Sequence, residues 1–202
     1  ALIKYIADED KDKYIKIIYE KSKKLTELIN IFHEYSKLEH PDFNLIFEKV
    51  DLSEYLRAYI ALKYEDIVES GFNIEVDIPE EEMEIKIDKV QLQRVFDNIL
   101  GNSIKHNEKG TNIYVSLKEK NDIYEIIIAD DGKGISKDIA NNIFEAFTVG
   151  DESRNSKQGS GLGLAIAKTI VDLHGGTIEL EPESLKKFST QFKIILKKNP
   201  KL

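Results

Sequence analysis

None of the 202 residues is a cysteine, an absence that removes disulfides, thiolate nucleophiles and zinc–thiolate centres together and points to an intracellular setting. Positive charge is in deficit: 37 acidic residues face 29 basic ones, for a formal charge of −8. A nucleic-acid surface needs clustered cations, so no nucleic-acid partner is expected, and any bound polyanion should be small and masked by a metal ion. No apolar run reaches the roughly eighteen residues that a membrane span requires, and no charged-then-apolar leader occurs, so no membrane contact by these residues and no export signal is expected. An initiator methionine is missing too. The chain opens on Ala1-Leu2-Ile3 and is expected to be part of a longer protein, with any membrane anchor outside it. Internal repeats and low-complexity tracts are absent. At 41% hydrophobic residues, enough apolar material is left for a core.

Between Lys11 and Glu39 there is neither glycine nor proline. Tyr14, Ile18, Leu25, Leu28, Phe32 and Tyr35 follow steps of three and four, broken at Lys21, which is the seam of a coiled coil or helical hairpin. About 29 such residues rise roughly 43 Å, too long for most small domains, so a partner helix is expected; a solvated surface helix is the alternative. "ALIKYIA" reads as the end of an earlier helix with "DEDKD" as the turn, and His40-Pro41 is the stop. The pattern then shortens. Helices are predicted at "SEYLRAYIALKYEDIVES", "KVQLQRVFDNILGNSIKHN" and "LGLAIAKTIVDLHGG". Strands are predicted at "LIFEKVDL", "FNIEVDIP", "MEIKID", "NIYVSLKEK", "IYEIIIADD", "TIELEPE" and "STQFKIILKK", with a hairpin across Asn121-Asp122. The expected fold is α+β: a two-layer α/β sandwich with helices on one face of a mixed sheet, preceded by a long helix of a hairpin.

Three constellations carry chemistry. "GSGLGL" opens a helix, where bare backbone N–H groups and a partial positive charge make an anion cradle; alone it serves equally as a hinge, and it is neither the dinucleotide fingerprint nor a P-loop. In "ADDGKGI", Asp130 ends an apolar strand and can accept from an exocyclic amine, while Gly132 and Gly134 let a flat base approach the backbone; an acidic β-turn reads the same way. In "DNILGNSIKH", Asn98 and Asn102 share a helix face with Lys105 one turn on, a carboxamide and ammonium set suited to Mg²⁺ and polyphosphate or to an ordinary solvated face.

Taken in order, "DNILGNSIKH", "DDGKG", "IFEAF" and "GSGLGL" resemble the N, G1, F and G2 boxes of sensor histidine kinases, loosely of the vancomycin-sensor subgroup. The resemblance implies a catalytic domain with the Bergerat-type ATP-binding sandwich of gyrase-class ATPases. It divides the chain into the end of a dimerisation and phosphotransfer hairpin (1–40), a connecting strand and helix (41–70) and the catalytic domain (71–202). It implies ATP and Mg²⁺ as ligands. Asn102 would hold the ion, Asn98 and Lys105 would line the nucleotide site, and Asp130 would take the adenine amino group, with His106 stacking nearby. Gly132, Gly134, Ile135 and Thr190 would shape the base pocket. Gly159, Ser160, Gly161, Leu162, Gly163 and Leu164 would anchor a lid over about 135–160, with Phe144 and Phe147 at its other end. Replacing Gly161 and Gly163 with alanine is then expected to weaken ATP binding and leave the fold intact.

Two departures stand out. Val149 occupies the place of a frequent lid arginine, for which Arg154 or Lys157 could substitute, and Ser189 precedes Thr190 where a glycine is usual. His33-Glu34 imitates the start of the phosphoacceptor box but lacks its remainder, so the acceptor is expected upstream of Ala1. The implied activity is that of a protein histidine kinase, passing the γ-phosphoryl of ATP to a histidine and on to a response regulator, in a homodimer whose cytoplasmic part this is. A gyrase-like ATPase or ATP-gated binding module is the alternative. Asn98 disfavours it, since a hydrolase needs a carboxylate base there. A third reading, a nucleotide-free signalling scaffold, is left to ligand titration.

Overall fold

The computed structural model describes residues 8–148, 160–181 and 188–198. They form two compact units, 1–40 and 41–202. The first holds helix α1 (Asp8–Leu38). Of its seam residues, Tyr14, Ile18, Leu25 and Phe32 are exposed, as is His33.

The second unit runs β1 (Glu48–Asp51), α2 (Leu52–Glu69), β2 (Asn73–Asp77), β3 (Glu84–Ile87), α3 (Lys89–His106), β4 (Asn112–Lys120), β5 (Ile123–Asp130), a short α4 (Lys137–Ala140), α5 (Gly163–Leu173), β6 (Thr177–Leu180) and β7 (Thr190–Lys197). Capping explains where the two long helices begin. Asp51 accepts from the Ser53 N–H at 3.0 Å, and Asp88 accepts from the Gln91 N–H at 3.0 Å, each satisfying a first-turn donor that the helix leaves open. Helix α2 ends at Ser70 and Gly71, the latter with φ +89°.

The main sheet has the order β2-β4-β5-β7-β6, with β2 parallel to β4 and the other pairs antiparallel. Strands β1 and β3 pair with each other as a separate antiparallel ribbon, a division the sequence pattern does not announce. The β4–β5 hairpin turns where expected, with Asn121 in the left-handed region at φ +52°. Helix α4 lies in a stretch the apolar periodicity leaves blank, because it is only one turn long.

Side chains alternate across a strand, and the register turns that alternation into one apolar face. Ile113, Val115 and Leu117 lie opposite Asp130, Ile128 and Ile126; these in turn lie opposite Thr190, Phe192 and Ile194. All nine are buried. Leu92, Val95, Phe96 and Ile99 of α3 and Ala167, Ile170 and Val171 of α5, spaced at helical intervals, are buried as well. Asp130 therefore ends a row that is otherwise all core.

His174, just past α5, ties the helices to the ribbon end. Its Nδ1 donates to the Ile170 carbonyl at 2.7 Å, and its Nε2 accepts from the Asp88 N–H at 3.1 Å. Burial pushes its pKa below the ordinary value, against the pull of the Ile170 carbonyl and Asp88, so the ring is held neutral.

Candidate functional site

The strand period fixes the first part of the site. Asp130 follows Ile126 and Ile128 on the buried face and is only 2% exposed. A carboxylate there requires donors. Among the described residues it has two: the Ser103 hydroxyl donates to Oδ2 at 2.8 Å, and the Gly132 N–H donates to Oδ1 at 3.2 Å. The Asp130 carbonyl accepts from the Ser189 N–H at 2.8 Å, and Thr190, 6% exposed, is its cross-strand partner.

The glycines beside it are there for space. Asn107, past the end of α3, donates from Nδ2 to the Ser103 carbonyl at 3.0 Å and accepts on Oδ1 from the Lys133 N–H at 3.0 Å. A Cβ on Gly132 would fall on that carboxamide. Gly134 sits at φ +75°, and its Cβ would be 3.3 Å from the Ser189 carbonyl oxygen; Ile135 next to it is half-buried. The loop is thus packed from two sides, Gly134 against the Ser189 backbone just before β7 and Gly132 against the Asn107 side chain just past α3.

A second group gathers where α3 passes the start of α5. Asn98 and Asn102, four residues apart on α3, are both half-buried, and a Cβ on Gly163 would lie 2.8 Å from Asn98 Oδ1. The first-turn N–H groups of a helix have no partners within it, so the glycine start of α5 offers donors and a partial positive charge beside the Asn98 carboxamide. The approach is prepared by a tight turn: the Leu162 N–H donates to Ser160 Oγ at 3.2 Å, and Gly161 takes φ +67°. Leu162 and Leu164 are buried, so what they can offer a ligand is backbone. Phe147 meets this turn through its N–H, which donates to the Gly161 carbonyl at 3.0 Å, and has φ +65° itself. Phe147 as a residue is 59% exposed, and Phe144 packs edge-on against Phe192 at 6.2 Å.

Lys105 is exposed and His106 half-buried. Burial, then the Lys105 and Lys133 ammonium groups, push the His106 pKa down, leaving an uncharged ring at neutral pH. Gly159, Val149, Arg154 and Lys157 lie outside the described residues. Sequence reasoning missed Ser103 and Asn107. The available signal was a serine at a buried helix position with an asparagine one turn on, since a buried hydroxyl implies an acceptor.

The arrangement suits a nucleotide. One end holds a buried carboxylate with a glycine-flat wall, able to receive an amino group on a planar base; the other holds half-buried carboxamides and a helix start, able to receive anionic oxygen.

Known proteins share this fold and sequence pattern. The sensor histidine kinase YcbM of Bacillus subtilis is 31% identical over 192 residues, 95% of this chain and 61% of its own length. Full-length ShkA solved in complex with AMPPNP superposes with a TM-score of 0.72 at 23% identity, over 93% of this chain and 38% of that one. Histidine kinase ThkA, solved in complex with response regulator protein TrrA, gives 0.68 at 24% identity, over 98% and 54%. The chain spans less than two-thirds of the curated relatives it matches. Residues 87–200, from the ribbon end through the Asp130–Gly134 loop to the last strand, match the family described as "Histidine kinase-, DNA gyrase B-, and HSP90-like ATPase", and the chain belongs to that ATP-binding family.

Proposed function

We propose that the chain is the ATP-binding catalytic core of a sensor histidine kinase, moving the γ-phosphoryl of ATP to a histidine for relay to a response-regulator aspartate. The observation that carries this is the meeting of two half-sites on one helix: α3 holds Asp130 through Ser103 at 2.8 Å and brings Asn98 against Gly163. Asp130 accepts the adenine amino group beside Gly132, Gly134, Ile135 and Thr190, with the neutral His106 ring available for stacking. Asn98, Lys105 and the backbone of 160–164 receive the phosphates. Asn102 holds Mg²⁺, which when bound neutralises phosphate charge; among the described residues no group of three or more His, Asp or Glu could hold a metal. Asn98 has no basic oxygen with which to activate water, which favours transfer over hydrolysis.

Residues 1–40 are read as the end of a dimerisation hairpin, consistent with the exposed seam of α1, 41–70 as the connection and 71–202 as the catalytic domain. The full-length protein would be a homodimer, with this part cytoplasmic and the whole anchored in a membrane; no helix among the described residues is long and apolar enough to cross one. ThkA with TrrA supplies the precedent for a response-regulator partner. Titration with a fluorescent ATP analogue tests the reading: saturable binding that requires Mg²⁺ and is lost in Asn102→Ala supports it, and no Mg-dependent binding overturns it.

A further inference from the structure

We propose that Ser103 is a positioning residue that presets Asp130 for a purine bearing an amino group at C6, an inference that rests on the ATP reading above. A serine inside a helix commonly turns its hydroxyl back to a carbonyl of the preceding turn. Ser103, 4% exposed, instead donates across to Asp130 Oδ2 at 2.8 Å. A carboxylate's last torsion is broad and two-fold, so an aspartate at a strand end has no fixed plane of its own. Here the Ser103 hydroxyl on Oδ2 and the Gly132 N–H on Oδ1 fix that plane from two sides. They also hold both oxygens as acceptors. A carboxylate so held receives an amino N–H and has no proton to give a C6 carbonyl. Ser103 comes from α3, the helix that carries Asn102, so base recognition and the phosphate end share one rigid element.

The test uses the whole chain with Mg²⁺ and three nucleotides: ATP, its 6-oxo counterpart ITP, and purine riboside triphosphate, which has hydrogen at C6. Ser103→Ala is expected to lower ATP affinity about tenfold, the scale of one hydrogen bond to a charged group, and to change purine riboside triphosphate less than about twofold. ATP should lose its preference over both analogues. In an Asp130→Asn background, Ser103→Ala should cost nothing further. Ser103→Cys, close in volume and a weak donor, gives the same selectivity change and serves if the alanine variant does not fold. Equal weakening of ATP and the 6-hydrogen analogue means that Ser103 only supports packing, and unchanged ATP affinity means that it does not act on Asp130; either overturns the proposal. Wild-type protein that binds none of the three nucleotides refutes the ATP reading instead.

Discussion

Gly161 and Gly163 look interchangeable in "GSGLGL", yet their replacement by alanine should separate fold from ligand binding. Gly161 sits at φ +67°, and a Cβ there would lie 2.8 Å from the Phe147 carbonyl carbon, 2.9 Å from its Cα and 2.9 Å from the Thr148 carbonyl oxygen. All three atoms are backbone and cannot rotate away. A left-handed alanine costs about 1–2 kcal/mol, and forcing backbone apart adds about 1–3 kcal/mol. The turn can also open, giving up the Phe147 N–H bond to Gly161. With part of the strain relaxed in that way, Gly161→Ala should cost about 2–4 kcal/mol, or roughly 4–16 °C of Tm in a domain of this size. Gly163 differs because its one close neighbour is Asn98 Oδ1 at 2.8 Å, the end of a side chain that can move. Alanine is the better helix former by about 1 kcal/mol, so Gly163→Ala should leave Tm unchanged or slightly raised. It should weaken ATP about three- to tenfold by displacing the Asn98 carboxamide, a loss of about 0.7–1.4 kcal/mol. Thermal unfolding and a Mg-ATP titration on both variants decide the matter. Equal Tm in the two, or wild-type Tm and affinity in Gly161→Ala, would refute the packing argument.

Gly132→Ala should push the Asn107 carboxamide off the Lys133 N–H and weaken ATP about tenfold; adding Asn107→Ala opens the space and should restore part of the lost stability, read by denaturant titration. Phe96, fully buried and 5.3 Å from the Tyr59 ring, should cost about 3–5 kcal/mol as alanine, seen as a lower denaturation midpoint at unchanged slope. His174 predicts a pH dependence. Its folded pKa lies below the 6.5 of an ordinary histidine, so the unfolded chain takes up the proton first. Its contribution to stability is complete above about pH 6.5 and falls as pH drops through that value towards the folded one. Urea unfolding at pH 7.5 and 5.5 should show this loss, and His174→Gln should reduce it, leaving the part due to His106.

The elements were legible because their signals are local. Three- and four-residue spacing marks α1 and α3, two-residue alternation marks β2 and β3, an apolar run marks β5, and Asn121-Asp122 marks the β4–β5 turn by chemistry that acts within a few residues. The pairing of β1 with β3 rather than with the main sheet was not legible, since a four-residue strand states neither its partner nor its sheet. The site divides in the same way. Asp130, Asn98, Asn102 and Gly163 could be singled out as candidates because each belongs to a motif with a fixed internal spacing. Ser103 and Asn107 carry only the weaker signal of a serine at a buried helix position with an asparagine one turn on, because the partners that give them meaning, Asp130 and Lys133, lie 27 and 26 residues away in the chain. Gly132 shows how the two kinds of information meet. Its place in "DDGKG" suggests room for a base, yet the side that excludes a Cβ is occupied by the protein's own Asn107. The glycine is therefore required first by the bracing of the loop against α3, and the flat wall offered to a base follows from that bracing.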